Sequence, residues 1–127
     1  MDIFKKVKSN ISNRTVEVAY GIKNLIKWFP IIWKDRQWDH YFIHVILKHK
    51  LSLMRNHFIK YNIHRNSLLD AKKMDLCVKL LNRIIAEDYY HKVDQGLESY
   101  EKAEDLIEQD LDLLYKTIRK NVRGWWD

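Results

Sequence analysis

Between residues 97 and 122 an apolar side chain returns every three or four positions: Tyr100, Ala103, Ile107, Leu111, Leu114, Ile118 and Val122. That spacing gathers them on one stripe of an α-helix, whereas a strand of period two would scatter them over both faces. The same rule predicts a helix over about 40–61 behind Asp39 as N-cap, with a coiled-coil-like seam of Leu47, Leu51, Met54, Phe58 and Tyr61. Continued backwards, the seam passes through His44 and His40. A further helix, about 67–92, carries Leu69, Leu76, Leu80, Leu81, Ile84 and Ile85, and Gly96 separates it from the last one. An earlier helix over 14–28, behind Asn13, is expected to end or kink at Pro30, ahead of a short aromatic segment from Ile31 to Trp38.

Three glycines and one proline in 127 residues are too few turn-formers for an all-β fold of many short strands. The expected fold is all-α: a bundle of about four amphipathic helices, self-associating, in a single domain over 1–127. A short N-terminal arm (about 1–12) and a tryptophan tail (123–127) flank it. The 46% hydrophobic content suits a packed interior rather than disorder. Cys77, the only cysteine, lies among Leu76, Val78, Leu80 and Leu81, which predicts a buried small hydrophobe with neither disulfide nor thiolate zinc site. No run reaches the ~18 uncharged apolar residues of a membrane span. The charged, amphipathic start from Met1 to Lys8 is not followed by a signal-peptide pattern, so a cytoplasmic protein is expected.

The net charge of +6 conceals an asymmetry. Residues 1–93 hold 18 Lys/Arg against 8 Asp/Glu, residues 94–112 hold 1 against 8, and residues 113–127 hold 4 against 1. A basic body with one acidic helix steers anions to one face or associates head to tail.

Several constellations invite chemistry. His40 and His44 stand one helical turn apart, the spacing of two imidazoles that share a metal, with Asp88 or His91 as a third ligand. The second helix supplies no bridging carboxylate between His40 and Tyr61, so hydrogen-bonded seam histidines are the preferred reading and no metal or other cofactor is expected. Glu101, Glu104, Asp105, Glu108 and Asp112 share one helix off its apolar stripe, which reads as a solvated face rather than a magnesium site. Ser52 and Ser67 lack the strained elbow of a nucleophile, and neither a Walker loop nor a dinucleotide fingerprint is present. An enzyme is not expected.

The basic stretch from His40 to Lys73 is the most informative. It holds Lys48, Lys50, Arg55, Lys60, Arg65, Lys72 and Lys73 against the single acid Asp70. Trp38, Tyr41, Phe42, Phe58 and Tyr61 are interleaved with them, and cations beside aromatic faces suit a phosphate plus a stacked base. The alternative is that snorkelling Lys and Arg only solvate a bundle helix. Arg83 is either a ligand contact or half of a structural ion pair, with Asp88 near it in sequence. Trp125 and Trp126 either cover the bundle end or bury in a partner subunit. The segment from Lys23 to Trp33 is expected to pack into the core, with a membrane surface as the other reading.

Trp38-Asp39-His40-Tyr41-Phe42, then Leu47, Lys50-Leu51 and Met54, resembles a pattern of small, helical, uncharacterised bacteriophage proteins. Leu80-Leu81-Asn82-Arg83, Tyr89-Tyr90 and the terminal Trp125-Trp126-Asp127 match its later part. The chain departs from it at His49 and His57, where the pattern has aromatics. The resemblance implies a phage accessory protein in an infected bacterial cell, acting on the host or its defences, and carries no catalytic residue with it.

The functional expectation is a non-enzymatic homo-oligomer that sequesters a small anionic ligand, such as a nucleotide immune signal. Lys48, Lys50 and Arg55 would meet phosphate, Trp38, Phe58 or Tyr61 would stack a base, and Arg83 would fork to phosphate. Two alternatives stay open: nucleic-acid binding through the basic second helix, and an interaction module that inhibits or bridges a host protein.

Overall fold

The structure, a computed structural model, describes residues 3–62, 64–87, 89 and 96–126. The chain is all-α, as the periodicities predict. Its helices are α1 (Ile3–Lys34), α2 (Tyr41–Tyr61), α3 (Ser67–Ala86) and α4 (Leu97–Asn121), and a 3-10 turn, Val122–Gly124, closes the last one. Among the described residues there is no strand. The chain divides into two compact units, residues 1–36 and 37–127.

In the first unit α1 runs for 32 residues and buries none of its side chains. Two expectations are corrected here. The helix begins ten residues before Asn13, and it continues through Pro30 to Lys34. Pro30 lacks the N–H that would bond one turn back, yet a single missing bond does not end a helix whose neighbours all stay helical. Nor is the segment from Lys23 to Trp33 core: Leu25, Ile26, Phe29, Ile32 and Trp33 are all exposed.

The second unit is an antiparallel arrangement in which α3 packs against both α2 and α4. Asp39 caps α2 as expected, its carboxylate accepting the Tyr41 N–H at 3.0 Å. Asn62, at φ 43°, turns the chain left-handed after α2, a conformation asparagine tolerates better than most residues. The Ser67 hydroxyl accepts the His64 N–H at 3.2 Å and helps seat the first turn of α3. α3 stops at Ala86 because Glu87 adopts φ 53°, short of the expected 92, and residues 90–92 lie outside the described residues. Gly96 takes φ 137°, open to glycine alone, and starts α4.

The core is built around α3: Ala71, Met74, Cys77, Val78, Leu80 and Leu81 pack with Leu51 and Phe58 of α2, Leu114 of α4 and Trp125. Leu47 and Met54 of the predicted seam line its edge, with Ile84, Ile85 and Ile118. Tyr61, Leu69, Leu76, Tyr100 and Val122 lie outside it, exposed at the ends or flanks of their stripes. Cys77 is buried as its neighbours predict, and burial pushes its thiol up to about 11. Met74, Cys77, Leu80 and Leu81 are each at most 1% exposed, and Met74, Leu80 and Leu81 each contribute about 1.5–3 kcal/mol by leaving water.

Candidate functional site

Two cross-links set the register of the second unit. Lys73 Nζ donates to Asn121 Oδ1 at 2.9 Å, and Arg83 Nη2 reaches Asp110 Oδ1 at 2.7 Å. The start of α3 therefore lies beside the end of α4, and the short turn at 62–66 brings the end of α2 to the same place. One end of the unit thus gathers cations that are far apart in the chain. Lys60 comes from α2, Arg65 from the turn, Lys72 and Lys73 from α3, and Arg119, Lys120 and Arg123 from the α4 terminus. All but Lys73 are exposed.

The acid nearest to them on α3, Asp70, is buried, with His64 Nε2 4.0 Å from its carboxylate. The same end carries two exposed aromatics, Tyr61 and, just past the α4 terminus, Trp126 at 72% exposure. Lys60 Nζ lies 5.2 Å from the centre of the Tyr61 ring, which also contacts His57 at 4.6 Å. A basic surface with exposed rings can hold phosphates while bases stack.

Of the seven expected ligand residues, only Tyr61 belongs to this end. Phe58 is 5% exposed, with its ring in the core against His64, and so has no open face for a base. Arg55 is engaged with Asp75 at 2.8 Å. Lys79, at 2.9 Å, and Arg55 together hold the Asp75 carboxyl below its ordinary value, with the Lys79 hydrogen bond the larger cause. Arg83 forks onto Asp110 through Nε at 3.0 Å and Nη2 at 2.7 Å. Tyr89 donates its hydroxyl to the same carboxylate, and burial, then that bond, raises the phenol above its ordinary value. Arg83 is thus an ion-pair residue, with Asp110 as partner. Lys50 is exposed, Lys48 half-buried and Trp38 80% exposed, and none of the three lines the cavity at the other end.

The opposite end is acidic. A cavity of about 350 Å³ opens there, lined by His40, Tyr41, His44, Ile84, Ile85, Glu87, Glu104, Ile107 and Leu111. His44 Nε2 lies 3.0 Å from the Tyr115 hydroxyl, and its ring meets His40 edge-on at 6.4 Å. Burial first, and the neighbouring His40 second, hold the His44 imidazole below its ordinary value. Asp88 and His91, the remaining metal candidates, lie outside the described residues. Among the described residues, no three His, Cys, Asp or Glu side chains stand close enough to hold a metal ion. Glu101, Asp105, Glu108 and Asp112 are exposed, the solvated face their spacing predicts, while Glu104 departs from it, half-buried in the cavity lining.

The tryptophan tail divides. Trp125 is 6% exposed and packs into the core, covering its basic end, while Trp126 points outward. The basic end could have been suspected from the charge of residues 113–127, but its union with Lys60 to Lys73 is a tertiary fact. Comparison with protein-family models, with curated proteins and with solved structures finds no match.

Proposed function

We propose that this chain is a non-enzymatic nucleic-acid-binding protein that uses the basic end of its helical unit. The observation that carries the reading is that six exposed cations, from α2, α3, α4 and the turns beside them, belong to the end of the unit that also carries the exposed rings of Tyr61 and Trp126. Lys60, Arg65, Lys72, Arg119, Lys120 and Arg123 neutralise backbone phosphates, and the two rings stack unpaired bases, which favours a single strand. An enclosed nucleotide pocket has less support. The cavity lies at the other end, with two glutamates and no lysine or arginine in its lining. The resemblance to small bacteriophage proteins sets this binding in an infected bacterial cell, where such a protein occupies nucleic acid without transforming it.

The test is fluorescence anisotropy with a labelled single-stranded oligonucleotide over a salt series. Binding should weaken steeply with salt, and Arg65→Glu with Arg123→Glu should lower affinity at least about tenfold, since each lost phosphate contact also removes counterion release. Equal binding by the double variant would remove the reading. Salt-insensitive, one-to-one binding of a free nucleotide, with no oligonucleotide binding, would return it to ligand sequestration.

A further inference from the structure

The helix α1 is amphipathic along its whole length. Val7, Ile11, Val18, Ile22, Leu25, Phe29 and Ile32 follow one another at steps of three, four or seven, with Arg14 and Thr15 in the one wide gap. These seven apolar residues are 49–68% exposed. Trp33 flanks the stripe, 5.6 Å from the Phe29 ring. Most of the cations lie off the stripe, on a side that also carries the exposed Val16 and Tyr20. Within α1 there are seven Lys/Arg (Lys5, Lys6, Lys8, Arg14, Lys23, Lys27 and Lys34) against the single acid Glu17.

An apolar stripe exposed along a whole helix needs an occupant, and the charges beside it say which. A second α1 would cover the stripe but would bring two sets of cations together, with one glutamate on each helix to offset them. The acidic face of α4 on another copy would satisfy the cations but presents Glu101, Asp105 and Glu108 to the apolar stripe. The occupant that offers both an apolar layer and negative charge beside it, over a flat extent, is an anionic lipid surface. The length agrees. A helix of this size is about 48 Å long at 1.5 Å per residue, longer than the ~30 Å width of a small domain, so a plane accommodates the stripe better than a groove. No helix among the described residues is long and apolar enough to cross a membrane, so α1 would lie on the surface rather than span it.

We infer that α1 is a membrane-surface helix that docks the chain onto anionic lipid, with its apolar stripe in the acyl boundary and its lysines among the headgroups. The test is co-sedimentation of the full chain with phosphatidylcholine vesicles, with and without about one third phosphatidylglycerol, the anionic lipid this inference requires. The wild-type chain should pellet with the anionic vesicles and stay in solution with the neutral ones. Ile22→Asp with Leu25→Asp should lower the partition coefficient at least about tenfold, because two apolar side chains of the stripe no longer leave water for the acyl boundary. α1 buries nothing, so this variant keeps its core, which an unchanged melting temperature would verify. If the double variant pelleted like the wild type, binding would belong to the other cations of the chain and the inference would fall. It would fall equally if the wild-type chain did not pellet, or if the variant only turned an oligomer into a monomer with vesicle binding unaltered.

Discussion

At the scale of single residues, the Asp110 carboxylate gathers two partners at once. It accepts two bonds from Arg83 and one from Tyr89. These do not count equally. The Arg83 side chain is half exposed and can turn to water, while Tyr89 is buried and its hydroxyl cannot. Asp110→Ala should therefore cost about 2–3 kcal/mol in urea unfolding, most of it from the stranded phenol, and Tyr89→Phe only about 1 kcal/mol. A second residue-scale consequence concerns acid. His44 has its folded pKa held below the ordinary value, so the unfolded chain takes up the proton first. The stability this site supplies is complete above about pH 6.5 and declines as the pH falls below it. Melting temperatures of His44→Asn measured from pH 7.5 to 5 should decline less than those of the wild-type chain.

At the scale of elements, α1 holds its shape with no buried side chain, so in water its helicity rests on propensity and is sensitive to each residue. Pro30→Ala should restore a backbone bond worth up to about 3 kcal/mol locally and raise the far-UV helical signal of the full chain. The same element marks how far sequence reasoning reaches. Apolar periodicity located α2, α3 and α4 to within a few residues at most ends. It does not fix the ends of α1, because Asn13 and Pro30 read as local punctuation, although Val7 and Ile11 already continue the stripe before Asn13. The end of α3 was hidden for another reason: Glu87 is not a residue that advertises a left-handed turn. The cations of α2 and α3 were legible as a run. Their partners Asp75 and Asp110 were not, nor was the arrival of Arg119 and Arg123, because these depend on which helix faces lie together rather than on spacing along one of them.

At the scale of the whole molecule, every residue of the core cluster and its edge comes from the stretch between Leu47 and Trp125. A fragment of residues 37–127 should therefore fold alone, with a melting temperature within a few degrees of the full chain's by calorimetry; a collapse to an unfolded baseline would refute the independence of its core. The order of the helices has a kinetic side. α2 packs on α3 and α3 on α4, so each docking step joins neighbours in the chain, and loops that must close before contacts form are short. Such a topology is one that assembles in microseconds to milliseconds. Trp125 stands apart from this economy, since it follows α4 and still joins the core that Leu51 and Phe58 of α2 build with α3. With everything up to α4 in place the unit still lacks one wall, and Trp125 is the piece that shuts it.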